Sequence, residues 1–196
     1  MLKKYVVLDL ETTGLSKHYH KITEIAAVKI KNNKITEKFE ELVNPNVKIP
    51  SFITRLTGIT NKMVKNKPNI KQILPEFLDF LEEDMIIAHN ATFDHGFLNE
   101  NAKKHLEQEL LNQRLCTRKL AYRLLNHLPS KRLETICIHY NIENKDAHRA
   151  MSDVKATYKI FKKFNNLLHK KGIKEKEDIL KFENSSLRKL REKELV

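Results

Sequence analysis

The chain has 196 residues, 40% hydrophobic and 32% charged, which excludes a disordered or fibrous chain and suits one domain with a real core. No apolar run approaches the ~20 residues that span a bilayer, and the N-terminus, MLKKYVVLDLE, lacks a signal peptide's long apolar region and cleavage site, so no membrane association and a cytoplasmic location are expected. Lysine plus arginine outnumber aspartate plus glutamate by 37 to 25, a net charge of +12 that favours a polyanionic partner, most often nucleic acid.

Residues 5–10, YVVLDL, are β-branched and aromatic and apolar on both parities, which predicts a central strand buried on both faces. TEIAAVKI (23–30) and KITEKFEELV (34–43) flank Asn32-Asn33 and predict a hairpin paired onto that strand. NPNVKIPS (44–51) reads as a loop. Ile70, Ile73, Leu74, Phe77, Leu78 and Leu81 recur at the spacing of a core-facing helix, with Pro75 suited only to a first turn or a kink. MIIAH (85–89) predicts a short strand, and Asn90 or Thr92 a cap for a helix carrying Phe93, Phe97 and Leu98.

A short strand near 114–117 precedes helices around 118–127 and 131–140, with Ser130 as cap of the second. From Ala147, the residues Met151, Val154, Tyr158, Phe161 and Leu168 predict a long amphipathic helix. The order implies an α/β domain over residues 1–168 on a mixed central sheet of about five strands flanked by helices. Residues 169–196, charged and poor in large apolar groups, form a helical or flexible extension. Cys116 and Cys137 stand alone, as reduced core thiols do in a reducing compartment.

The stretch YVVLDLETTGL (5–15) ends an apolar strand in two carboxylates, Asp9 and Glu11. Residues i and i+2 of a strand share a face, so the two acids project together from its carboxyl end, where open α/β sheets bind ligands. Acids this close repel, burial raises at least one pKa, and a divalent cation resolves the conflict. An arbitrary pair of this kind is more often a hydrated strand end. Two further stretches shift that balance. HNATFDHGF (89–97) places Asp94 just past another apolar strand, and AHRAMSD (147–153) places His148 five residues before Asp153. Five helical residues rotate by about 500°, so these two would not share a helical face. His148 is expected on the loop before the helix, with Asp153 inside it.

DLETTGL, HNATFD and HRAMSD, in this order and spacing, resemble the three exonuclease motifs of the DEDDh 3′–5′ exonucleases, DnaQ-like enzymes on a ribonuclease H-like fold. Within that group the wording is nearest to the proofreading exonucleases of bacterial DNA polymerase III, as a separate epsilon subunit or as a domain within a larger replicase. LTGIT (56–60) shares in that likeness, which covers residues 4 to about 165. The sister group with a tyrosine four residues before the last aspartate is not matched, since Arg149 stands there.

The resemblance implies that Asp9, Glu11, Asp94 and Asp153 hold two divalent cations, Mg²⁺ or Mn²⁺. Asp9 bridges both, Glu11 and Asp153 complete one site, and Asp94 supports the other. It implies that His148 is the general base and that the terminal phosphodiester is hydrolysed to a nucleoside 5′-monophosphate. Thr12, Thr13, Gly14, Leu15 and Asn90 would meet the 3′-terminal nucleotide, with Leu15 as a wedge against its base. Implied partners are single-stranded DNA 3′ ends and a separate polymerase subunit, docked through residues 170–196. KHYHK (17–21) and HRAM (148–151) are candidate strand contacts, whereas His89 and His95 read as packing or surface residues. Three rivals stand beside this reading. They are an RNase T-like or oligoribonuclease-like exoribonuclease, a haloacid dehalogenase-type phosphatase and a silent binding module.

Overall fold

A computed structural model describes residues 2–192. β1 (Lys4–Thr12), β2 (Ile22–Lys31) and β3 (Lys34–Leu42) form an antiparallel meander. Asn32 and Asn33 turn the β2–β3 hairpin with φ of 50° and 62°, the positive-φ geometry that a two-residue hairpin needs and asparagine tolerates. Two short helices follow, α1 (Ser51–Thr57) and α2 (Asn61–Val64), each too brief to leave a periodic signature. Then come α3 (Ile70–Leu81), β4 (Ile86–Ala88), α4 (Ala91–Leu106), β5 (Arg114–Cys116), α5 (Thr117–Leu124) and α6 (Leu133–His139). The long helix α7 (Ala150–Lys170) is followed by α8 (Lys176–Asn184) and α9 (Leu187–Glu192).

The sheet order is β3-β2-β1-β4-β5, with β4 and β5 parallel to β1. This is the mixed, helix-flanked α/β sheet expected. β1 is central and alternates its side chains between two cores. Tyr5 and Val7 pack with α5, α6, α7 and α8, while Val6, Leu8 and Leu10 pack with α3 and α4. Tyr5 meets Phe161 of α7 edge to face, with ring centroids 5.3 Å apart.

Several placements differ from the sequence reading: α1 begins at Ser51, inside the expected loop, and α5 ends at Leu124 rather than near 127. Pro75 lies inside α3 past its first turn, because a reciprocal capping box between Asn69 and Gln72 sets the helix start. Ser130 does not cap α6. Arg132 takes that position, and the Ser130 hydroxyl accepts the Arg132 N–H at 3.2 Å. α7 starts at Ala150 rather than near 147, which leaves His148 on the preceding loop at φ 64°.

Past α7, Ile173, Ile179, Phe182 and Leu190 are buried against the core. Glu183 of α8 reaches the edge strand β5, where its Oε1 accepts the Cys116 N–H at 3.0 Å. Both cysteines are free and buried. Among the described residues, no helix is long and apolar enough to cross a membrane.

Candidate active site

Asp9 and Glu11 stand two residues apart near the carboxyl end of β1, still within the sheet, with Glu11 opposite Glu24 of β2. A register irregularity follows at once, between Glu11 and Thr12, and lets the chain leave the sheet. Asp94 enters from the first turn of α4. Its Oδ1 accepts the Leu10 N–H at 3.2 Å, which fixes it beside the β1 acids. Asp153 enters from the first turn of α7. Its Oδ1 accepts the Asn144 side-chain amide at 2.6 Å and its Oδ2 the His148 N–H at 3.3 Å. Ser152 Oγ donates to Asn144 Oδ1 at 2.5 Å and orients that amide. Glu11, His148 and Asp153 bring one ligand atom each within 4.8 Å of one another, a group that could hold a metal ion.

The four acids also feel burial and one another's charge. Burial holds Asp9 well above the ordinary carboxylate range, and the charges of Asp94, Glu11, Asp153 and Glu24 push the same way. Burial also lifts Glu11 to about 8, reinforced by Asp153, Glu24 and Asp94 and opposed by Arg149. Burial raises Asp94, against hydrogen bonds from its own N–H and that of Leu10. It raises Asp153 too, against the Asn144 amide and the His148 N–H. Acids drawn together out of water are short of positive charge. An oxygen-only donor set of this kind fits a hard divalent cation.

Glu24 was not singled out by the sequence reading, yet it organises the site. It is 1% exposed. Arg149 Nη2 approaches its Oε1 at 2.8 Å, and the Ala150 N–H donates to its Oε2 at 2.9 Å. β2 is thereby tied to the point where α7 begins, directly after His148. A carboxylate in the apolar run TEIAAV was the available signal, since a buried charge is retained only with a partner.

The remaining site candidates lie on the loop after β1 and at the start of α4. Thr12 and Thr13 are buried. Thr12 Oγ1 donates to the Gly14 carbonyl at 2.7 Å, and Thr13 Oγ1 accepts the Lys21 N–H at 3.0 Å. Gly14 is required by crowding rather than by φ, for a Cβ there would sit 2.3 Å from the His20 ring. Leu15 is 86% exposed and is no core residue. Asn90 occupies the N-cap position of α4 without capping through its side chain. His89 bridges Thr117 Oγ1 and the Lys131 carbonyl, each at 3.0 Å, and burial lowers its pKa to about 4, as suits a packing residue.

A family model described as exonuclease, RNase T, matches residues 6–161. The chain belongs to this exonuclease family. It is 44% identical over 176 residues to a DNA polymerase III of PolC type from Caldanaerobacter subterraneus subsp. tengcongensis, covering 90% of this chain and 12% of the relative. It is 38% identical over 170 residues to the DNA polymerase III epsilon subunit of Aquifex aeolicus, covering 86% of this chain and 84% of the relative. The exonuclease chain thus spans about an eighth of the PolC-type relative and most of the epsilon one. Among solved structures it resembles exonuclease X in complex with 5′-overhanging duplex DNA, at TM-score 0.70 and 26% identity over 92% of this chain and 99% of that one. The zinc-bound E. coli ExoI–ssDNA complex matches at TM-score 0.73 and 21% identity over 83% and 40%, which shows the shared ribonuclease H-like fold.

Proposed function

We propose that this exonuclease is divalent-metal-dependent, works 3′ to 5′ on single-stranded or frayed DNA ends, releases nucleoside 5′-monophosphates and serves replication proofreading. The observations that support this reading are the approach of Glu11, Asp153 and His148 to one another and the bond that holds Asp94 to the Leu10 N–H, next to Asp9. Two Mg²⁺ or Mn²⁺ ions held by these four carboxylates would relieve their repulsion, polarise the scissile phosphate and stabilise the leaving oxygen.

The chain's own groups supply the rest. The Leu10 N–H holds the Asp94 carboxylate toward β1, and Asn144 with the His148 N–H holds Asp153 toward Glu11. His148 is exposed on its loop and free to meet substrate. Its imidazole accepts a proton from the attacking water. The water oxygen forms a bond to the terminal phosphorus as the bond from phosphorus to the 3′ oxygen breaks. That oxygen leaves as the new 3′-hydroxyl, taking up a proton. Leu15, standing out from the loop after β1, would press on the terminal base, while Thr12, Thr13, Gly14 and Asn90 would shape the nucleotide's seat.

The test is digestion of 5′-labelled single-stranded DNA, mispaired primer ends, RNA and dinucleotides, side by side. Stepwise shortening of DNA only with Mg²⁺ or Mn²⁺, lost in EDTA or in Asp153→Ala, is the expected result. Cleavage that survives either change overturns the metal assignment, and a preference for RNA or dinucleotides overturns the substrate. The names of the relatives support a polymerase as partner. α8 turns Ile179 and Phe182 inward, so docking through residues 170–196, of which 193–196 lie outside the described residues, would use the charged outer face of α8. A pull-down with the polymerase, with and without substitutions on that face, checks it.

A further inference from the structure

Beside the candidate active site, α4 and the loop after β1 run together. The side chain of Lys17 lies over Gly96, 3.4 Å from where a Cβ at that position would stand, and His18 Nδ1 lies 3.3 Å from Glu100 Oε1. Further along, Lys21 and Lys104 border one cavity of about 300 Å³, which Lys71 and His105 also line. No carboxylate is among the residues lining it. None of the three lysines is in an ion pair among the described residues. The cations converge closely enough to be felt at His105, which is held below its ordinary value by burial and then by Lys104, Lys71 and Lys21 in turn. Three lysines, from the approach to β2, from α3 and from α4, thus border one space, and the nearest acid along α4, Glu100, pairs with His18 instead.

We propose that this cavity binds backbone phosphates of the substrate strand, a few nucleotides to the 5′ side of the scissile bond. From Asp94, α4 advances about 15 Å before reaching Lys104, at 1.5 Å per residue. The same edge carries Leu15 and Tyr19, 86% and 83% exposed on the neighbouring loop. Exposed aromatic and apolar faces that take bases, alternating with cations that take phosphates, make a track for single strands. The inference rests on the exonuclease reading and extends it from the terminal nucleotide to the strand behind it.

The test is fluorescence anisotropy of labelled oligothymidylates on the full chain in EDTA, across a salt series. The double variant Lys71→Gln/Lys104→Gln is compared with wild type and with Lys159→Gln/Lys163→Gln, which removes the same charge from exposed positions on α7. The slope of log K against log salt for a dodecanucleotide should fall by about 0.7 for each phosphate that is no longer neutralised, about 1.4 for the pair, and its Kd should rise several-fold at low salt. The control should keep the wild-type slope. The ratio of variant to wild-type Kd should grow with oligonucleotide length and approach one for a dinucleotide, too short to reach the cavity. An unchanged slope, an equal loss in the control, or an equal loss at every length overturns the proposal. Binding is read without hydrolysis, so an inactive wild type would sink the exonuclease reading while leaving this result legible.

Discussion

Glu24 of β2 holds Arg149 in a two-oxygen grip. The guanidinium Nε lies 3.3 Å from both carboxylate oxygens and Nη2 2.8 Å from one of them. The same carboxylate accepts the Ala150 N–H, so one buried acid sets the entry of α7 and the position of the His148 loop. Glu24→Ala leaves that N–H unpaired and should cost about 1–3 kcal/mol in urea unfolding. Misplacing His148 and Asp153 by a fraction of an ångström should also lower kcat by about 10- to 100-fold, with KM little changed. Single-turnover kinetics check this, and a Glu24→Ala enzyme of wild-type kcat would remove the positioning role.

Asn144 orients Asp153 from behind. Its amide donates to Oδ1, and Ser152 holds the amide in place. Partners of this kind typically contribute 10- to 100-fold in metal affinity. Asn144→Ala should therefore raise the Mn²⁺ concentration for half-maximal activity by at least about tenfold. Saturating Mn²⁺ should restore most of the rate. A metal titration that superimposes on wild type would show that Asp153 needs no such support.

Without metal, the acid cluster should make the fold sensitive to pH in an unusual direction. Glu11 rises from an ordinary 4.5 to about 8 in the folded chain, so between those values the native state binds more protons than the unfolded one. Stability then falls as pH rises through that window. In EDTA, Tm should drop steadily from pH 5 to pH 8. Mg²⁺ or Mn²⁺ should flatten the drop by supplying the charge the carboxylates lack. A flat Tm in EDTA across this range would contradict the burial-driven shift.

Gly14→Ala tests the loop after β1. A Cβ would collide with the His20 ring, which is itself anchored by the Ser16 N–H donating to Nδ1 at 3.1 Å. Overpacking of this kind costs about 1–3 kcal/mol, and the displaced loop should raise KM for oligonucleotides. Removing the ring in Gly14→Ala/His20→Ala should recover part of the loss, a non-additivity measured by a double-mutant cycle. Additive losses would mean that the two positions do not press on each other.

The sheet and the acid cluster were largely legible in the sequence because each rests on local chemistry. YVVLDL is apolar on both parities since β1 is covered on both faces, and the spacing from Met151 to Leu168 marks the buried stripe of α7. His148 belongs on a loop because five helical residues cannot bring it onto the Asp153 face. What escaped depends on contacts distant in sequence. Glu24 looks like a misplaced charge until Arg149, 125 residues on, stands opposite. Ser130 has the chemistry of a cap, but the chain needs two more residues before its turn becomes helical. The cationic cavity draws Lys21, Lys71 and Lys104 from three segments, and no spacing joins them. The apolar residues of α8 are diluted by charge, so their burial becomes visible only when Ile179 and Phe182 meet the core.

The hydrogen bond from Cys116 to Glu183 bears on how the protein must be made. β5 borders the sheet, and its open backbone would invite pairing with another chain. The carboxylate that occupies it comes from α8, near the end of the sequence. A ribosome-bound nascent chain, or one clipped by a protease ahead of residue 176, would hold a nearly finished sheet with the Cys116 N–H of β5 uncovered. Such a product should clump rather than simply lose activity, because α8 no longer covers this edge.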